Sequence, residues 1–395
     1  MKERTILHSD VNNFFASVEC ATRPELKDKP VAVTGNPKKR TGIILAKNEI
    51  AKKYGVKTGQ VIWEAKQLCP ELVTLLPHYD LYEEISEKLH ELYLDYTDFV
   101  EPLGMDECWL DVTDSLKYLN KTGEEIADEI RASVKEKFGF TVSVGVSFSK
   151  LFAKLGSDMK KPDATTLIPR SKFKELTYHL PLNSIVGIGR RLETKFNKMN
   201  IKTIGEFTEL DDKFLQDLMG ITGVYLKQNL LGLREEKVLN YYQLPPPKSI
   251  GNGTTTLRDI TSRDKINSTI HFLAEKVSAR LIKHGYFANT IGISVKTNTL
   301  ERFAKSKKIT PTHDIKMLAD EAQKLLDTFW KYDKPIRSIR LRTSNFSSDK
   351  AKQLNMFEKD KDLSKSIKLI NDKYGHIGIA SENSDFINNS KNPHE

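Results

Sequence analysis

At 395 residues with 38% hydrophobic content, the chain exceeds one ordinary core, and typical domain sizes predict roughly two to four domains. No apolar run approaches the ~20 residues of a membrane span, the charged start at Lys2, Glu3 and Arg4 leaves no room for a leader, and three cysteines lack CxxC spacing; these features predict a soluble protein of a reducing cytoplasm, with neither zinc module nor disulfide scaffold. The net charge of +9 is uneven: residues 241–345 hold 19 lysines and arginines against nine acids, a basic module beside a near-neutral remainder, which is the footprint of a polyanion binder.

In chain order, Thr5–Val11 reads as a buried strand from its length and β-branching. Val31–Gly35 and Gly42–Ala46 read as short strands, followed by helical periodicity through Lys53 and turns at Gly55 and Gly59. Tyr79–Tyr96 has apolar residues at three- and four-residue spacing, an amphipathic helix. Phe99–Val112 reads as two strands about a tight turn at Gly104, with Asp106 and Glu107 just past it. A helix over Gly123–Phe138, a strand over Thr141–Ser149 and a helix opening near Ser149 complete an α+β region. Leu180–Glu236 is helical with short turns, and Pro245, Pro246 and Pro247 form a stiff linker. Beyond it the pattern is strand Ser249–Arg258, helix Arg263–His284, strands Thr290–Lys296 and Phe303–Ile309, helix Asp314–Trp330 and strand Ser338–Thr343. This βαββαβ order predicts a four-stranded sheet with two helices on one face and the other face free. From Ser347 the chain is polar and lysine-rich, a composition that favours partial disorder.

Chemistry can be sought among the acids. Asp10 closes an apolar strand, and Asp106–Glu107 stand at a strand turn between Met105 and Cys108. An acidic pair within an apolar run is costly to bury unless something neutralises it. A solvated loop and a cation site both satisfy that pattern.

The wording around these acids is more specific. HSDVNNFFASVE (His8–Glu19), ILAKNEIAKKYGVKTG (Ile44–Gly59), GMDECWLDVT (Gly104–Thr113) and VSVGVSFSKLFAKLGSDMKKPD (Val142–Asp163) follow the order and spacing of motifs in the Y-family translesion DNA polymerases. Over Met1–Phe357 the chain resembles their bacterial polymerase IV branch, with UmuC-type traits. The resemblance implies an α+β multidomain right hand: a ferredoxin-like palm from residues 1–12 and 79–168, small fingers at 13–78, a helical helix-hairpin-helix thumb at 169–240, a linker at 241–249, a βαββαβ little finger at 250–347 and a flexible tail at 348–395. It implies a monomeric, error-prone enzyme that adds deoxynucleotides to a primer 3′ end. Its partners would be primer-template DNA and deoxynucleoside triphosphates, and no membrane.

Carried over by position, Asp10, Asp106, Glu107 and the carbonyl of Val11 would hold two Mg²⁺ ions, with Mn²⁺ as a substitute. Such ions activate the primer hydroxyl and neutralise the leaving pyrophosphate. Phe15 matches the steric gate that rejects a ribose 2′-hydroxyl, with Phe14 packing beneath the sugar, and Asn12 is not counted as a ligand. Lys161 matches the lysine that reaches the triphosphate. Glu49 and Lys52 stand where polymerase IV has a tyrosine and an arginine; Lys52, with Lys47 as a second candidate, supplies a point charge and not a bidentate fork. In NSIVGIGRRLETKFNKMNIKTIGEF, the turn glycines Gly187 and Gly189 would bring backbone amides to a DNA phosphate, and Gly220 and Gly223 would mark a second such turn. Arg258, Lys296, Arg340 and Arg342 are candidate contacts to the DNA backbone. Finally, QLNMF, with Gln353, Leu354, Met356 and Phe357, matches the bacterial sliding-clamp peptide. Two rivals stay open at this point: a catalytically dead DNA-binding relative, and a UmuC-like subunit inert until a partner binds.

Overall fold

The computed structural model describes residues 3–37, 40, 42–234 and 236–348, and the chain divides between Pro246 and Pro247 into two compact units. The clamp-like peptide Gln353–Phe357 lies outside the described residues. Among the described residues, no helix is long and apolar enough to cross a membrane.

The first unit is organised around β1 (Ile6–Val11), whose six residues are all buried because it runs through the middle of a sheet. The chain then leaves that sheet. Helix Phe14–Thr22 leads into a three-stranded sheet of β2 (Val31–Thr34), β3 (Ile44–Lys47) and β4 (Val73–Leu75), in the order β3-β2-β4. Its small core gathers Ala32, Ile44, Ala51, Val56, Ala65 and Leu72. Helix Tyr79–Leu94 brings the chain back to β5 (Val100–Pro102), β6 (Glu107–Asp111), β7 (Val142–Ser147) and β8 (Thr165–Ile168). The main sheet has the order β5-β6-β1-β7-β8, with β1 antiparallel to both β6 and β7.

Alternation along β1 divides its side chains between two faces. Leu7 and Val11 join the core built with Leu89, Leu92, Ile126 and Ile130 from helices Tyr79–Leu94 and Gly123–Phe138. Gly123–Phe138 begins at a Thr122–Glu125 capping box, so its expected bounds are the observed ones. The other face carries His8 and Asp10 and meets helix Lys150–Met159, which starts at Ser149, whose hydroxyl accepts from the amide of Phe152. That helix lies against β7 where Gly145 leaves room: a Cβ there would fall 1.9 Å from the carbonyl oxygen of Ala153 and 2.5 Å from the amide of Ser157.

Four helices, Arg190–Lys198, Ile204–Thr208, Asp212–Met219 and Ile221–Leu230, close over Phe196, Phe207, Leu215 and Leu230. Gly220 occupies the turn between the last two, with φ +70°. Gly223 is not a turn glycine, as the sequence reading had it. It sits inside helix Ile221–Leu230, where a Cβ would press on Leu215 and Met219, so its role is close helix packing.

The second unit contains β9 (Ser249–Ile260), β10 (Tyr286–Thr297), β11 (Arg302–Thr312) and β12 (Ile336–Ser348), in the antiparallel order β11-β10-β12-β9. Helices Arg263–Lys283 and Ile315–Asp327 cover one face, burying Leu273, Val277, Leu318 and Leu325 against Ile293, Val295, Ile339 and Leu341. These strands are longer than the apolar pattern indicates. β10 starts at Tyr286 and not at Thr290, because Phe287 and Ala288 go on pairing with Ser347 and Phe346.

Candidate active site

Strand register places the acids. Asp10 lies directly opposite Glu107, and His8 opposite Trp109, so these four side chains share the face beneath helix Lys150–Met159. Gly104, at φ +91°, allows the turn that precedes β6. The carbonyl of Asp106 then accepts a 2.9 Å hydrogen bond from the amide of Val11, tying that turn to the end of β1. Asp10 and the distant pair Asp106–Glu107 are thereby held side by side by main-chain bonds.

Burying such charges demands compensation. Two lysines supply it. Lys154 Nζ lies 2.8 Å from Asp10 Oδ2, 3.0 Å from Glu107 Oε2 and 3.1 Å from Asp158 Oδ2. Lys161 Nζ lies 2.8 Å from the other Asp10 oxygen and 2.9 Å from Asp158 Oδ1. Burial works against both ammonium groups, but the surrounding carboxylates prevail and hold both pKa values above the ordinary lysine range. Glu107 is likewise penalised by burial, yet His8 and Lys154 draw it down to about 2. Asp106 has no such partner. Burial, then the charges of Glu107 and Asp10, push its carboxyl up to about 6.

His8 completes the cluster. His8 Nδ1 and Ser157 Oγ form a hydrogen bond at 2.9 Å, and Ser157 Oγ lies 2.8 Å from the carbonyl oxygen of Lys154. Burial lowers the imidazole pKa and keeps it neutral. Its Nε2 has no hydrogen-bond partner and points toward Glu107 Oε2 at 3.5 Å, an orphaned polar atom facing the acids.

The donor set suits a hard divalent cation: three carboxylates are gathered at one end of β1, and for Asp106 burial and the neighbouring acids outweigh the charge of Lys154. In the arrangement seen, however, no group of three acidic or imidazole side chains among the described residues is closed enough to hold a metal. Lys154 and Lys161 take both oxygens of Asp10 and one of Glu107, so these ammonium groups must yield for a cation to enter.

The aromatic pair sits immediately downstream. Asn13, in the left-handed region at φ 56°, turns the chain from β1 into helix Phe14–Thr22. Phe14 is buried in the core, while Phe15 is half-buried and stacks on Tyr82 with centroids 4.4 Å apart and planes at 15°. Tyr79, half-exposed, meets Phe15 edge-on at 5.9 Å. Behind Phe15, Glu49 Oε1 accepts from Asn13 Nδ2 at 2.8 Å and from Lys52 Nζ at 3.2 Å. Burial raises the Glu49 carboxyl, but Asn13, Lys52 and Lys47 outweigh it and leave it below the usual range. Lys52 therefore faces an acid of its own helix, and Lys47 reaches Thr58 Oγ1 at 3.4 Å. Beside Tyr79 opens a cleft of about 630 Å³ lined mainly by Gly35, Asn36, Ile43, Leu45, Leu76 and Tyr79.

The other expected residues lie elsewhere. Gly187 has φ +102° and Gly189 precedes helix Arg190–Lys198; at neither would a Cβ meet another atom, so this backbone stands open. In the second unit Arg340 and Arg342 alternate with buried Ile339, Leu341 and Thr343, which places both on the face without helices. Lys296 pairs in register with Ser338 and Arg302 on that same face, whereas exposed Arg258 lies beyond a register shift near the end of β9. Sequence reading missed Lys154, Asp158, His8, Glu19 and Tyr82 as neighbours of the site. The Lys154–Asp158 spacing of four on a helix was visible, but only the close approach at Gly145 directs that pair toward Asp10.

Comparison with known proteins places the chain in a family. Residues 9–158 match the model of the impB/mucB/samB family, and residues 247–356 match that family's C-terminal domain. The chain is 39% identical to DNA polymerase IV of Acetivibrio thermocellus over 385 residues, covering 95% of this chain and 96% of that protein. It is 33% identical to DNA polymerase IV of Bacillus velezensis, over 95% and 91% of the two chains. A Y-family DNA polymerase chimera of known structure superposes with a TM-score of 0.77 at 25% identity, covering 87% of this chain and all of the other.

Proposed function

Since the chain belongs to the impB/mucB/samB family, among the polymerase IV-like Y-family DNA polymerases, we propose that this DNA-directed translesion polymerase extends primers with low fidelity through a two-metal site built on Asp10, Asp106 and Glu107. The observation that carries the reading is the register of Asp10 opposite Glu107, with Asp106 bound through its main chain to Val11. Two divalent cations, Mg²⁺ with Mn²⁺ as a substitute, supply activation of the primer hydroxyl and charge neutralisation at the leaving pyrophosphate when bound.

The protein's own groups do the rest. Asp10, Asp106, Glu107 and the Val11 carbonyl are the proposed ligands. Lys154 keeps the carboxylates ionised in the absence of metal, and Lys161 turns to the triphosphate once Asp10 is otherwise engaged. Phe15, backed by Phe14, excludes a ribose 2′-hydroxyl by its bulk, while Lys52 and Lys47 offer point charges to phosphate. The cleft beside Tyr79 has Ile43, Leu45, Leu76 and Pro77 as its apolar wall and Asn36 and Arg40 among its polar side chains. The exposed turn at Gly187 and Gly189 and the arginines Arg258, Arg340 and Arg342 are proposed to bind the DNA backbone, and Gln353–Phe357 a sliding clamp.

The test is primer extension with Mg²⁺ beside DNA binding by fluorescence anisotropy. Asp106→Ala is expected to lower extension at least about a thousandfold, the scale of losing a transition-state electrostatic contact, with little change in primer-template affinity. Retained turnover would sink the metal assignment.

A further inference from the structure

Glu19 is a buried acid that the reaction does not use. It lies four residues after Phe15 on helix Phe14–Thr22, and its side chain is fully buried. A carboxylate without solvent is retained only where hydrogen bonds hold it. Tyr82 donates its hydroxyl to Glu19 Oε1 at 2.5 Å, and His78 Nδ1–H donates to the same oxygen at 2.7 Å. Arg23 approaches the other oxygen at 3.3 Å without making a hydrogen bond. Tyr82 is itself fully buried, and its ring is the one stacked on Phe15 at 4.4 Å.

We propose that Glu19, acting through Tyr82, is a positioning residue that holds the Phe15 ring in place and thereby sets how strongly the site rejects ribonucleotides. The inference rests on the reading of Phe15 as the gate. A stacked ring alone leaves its partner free to slide, since offset aromatic arrangements differ little in energy. A ring tethered at its hydroxyl by a charge-assisted hydrogen bond is not free in this way. Burial, and then the adjoining carboxylate, push the Tyr82 phenol above its ordinary pKa, so it remains the donor. Glu19 and Phe15 share one helix while Tyr82 comes from another, so the tether closes a triangle of two side-chain contacts and one helical turn.

The experiment measures kcat/KM for matched deoxy- and ribonucleotides on one primer-template with the full chain, and takes their ratio. An inactive or misfolded fraction cancels in that ratio. Tyr82→Phe, which removes only the hydroxyl, and Glu19→Leu are each expected to lower discrimination about tenfold, the worth of one hydrogen bond. Glu19→Gln keeps an acceptor and is expected to lose clearly less, and the Tyr82→Phe/Glu19→Leu pair to lose no more than either change alone. Phe15→Ala serves as the reference. If it abolishes discrimination while Tyr82→Phe leaves the ratio at the wild-type value, the tether is refuted and the gate survives. If Phe15→Ala itself leaves the ratio unchanged, both fall.

Discussion

Lysine 154 shows how much one side chain can be asked to do. It is almost wholly buried, yet it stays charged because Asp10, Glu107 and Asp158 each lie within about one hydrogen bond of its ammonium group. Lys161 is placed differently: its side chain is 28% exposed, and it bridges Asp10 and Asp158 from the open side. That difference is the ground for proposing that Lys154 supports the carboxylates and Lys161 reaches the triphosphate. Lys161→Ala is expected to raise the nucleotide KM about tenfold or more, as for loss of a charged hydrogen bond, with a smaller effect on kcat. Steady-state kinetics decide it: a fall in kcat at unchanged KM would assign Lys161 to the acids instead. The acids and Phe15 stood out in the sequence because their neighbours form long, ordered motifs. Lys154 was not, since in sequence it is an ordinary helix lysine whose direction depends on packing against a distant strand. Asn13–Glu49 was equally invisible, for it joins the turn after β1 to a helix 36 residues later.

Elements add their own constraints. The helix Gly123–Phe138 and the helix opening after Ser149 could be read locally and appear as expected, whereas β12 runs over Ile336–Ser348, past both ends of the expected Ser338–Thr343. Gly145 could not be interpreted from its strand, because the reason for a glycine there is the helix backbone that lies on it. A second tie involves the helix on the opposite face of the sheet. Arg131, from helix Gly123–Phe138, donates to Asp163 Oδ1 through Nε at 3.1 Å and through its NH2 nitrogen at 2.8 Å, and Lys135 reaches the other oxygen at 3.2 Å. Burial opposes ionisation of Asp163, but the hydrogen bonds from Arg131 and Lys135 outweigh it and hold the carboxyl below the usual range. The folded-state value thus lies under the unfolded one, near about 3.9. The stabilisation is fully present above about pH 4 and is lost as pH falls through the lower, folded-state value. Asp163→Asn is expected to cost about 1 kcal/mol at pH 7, as for a partly exposed pair, and almost nothing near pH 2. Denaturant unfolding at the two values checks this; an equal loss at both would deny the ion pair its role.

At the scale of the whole molecule, the basic excess noticed in composition resolves into a surface. Arg340 and Arg342 project from β12 between Gly251 and Gly253 of β9 on one side and Gly292 and Ser294 of β10 on the other. Their cross-strand neighbours on this face are small, three glycines and a serine. Replacing both with alanine is expected to reduce the slope of log K against log salt for primer-template binding by about 2, one phosphate each. Anisotropy titrations across potassium chloride concentrations measure it, and an unaltered slope would remove both residues from the interface. The connectivity of the first unit has another consequence. The chain leaves its main sheet after β1 and returns with helix Tyr79–Leu94, and the excursion is pinned at its two ends by Phe15 lying on Tyr82. Residues 16–78 thus form a loop with an aromatic clasp, a cassette whose ends meet. Such a segment can be exchanged between relatives or altered in length without disturbing the strands that hold the acids, provided the clasp travels with it.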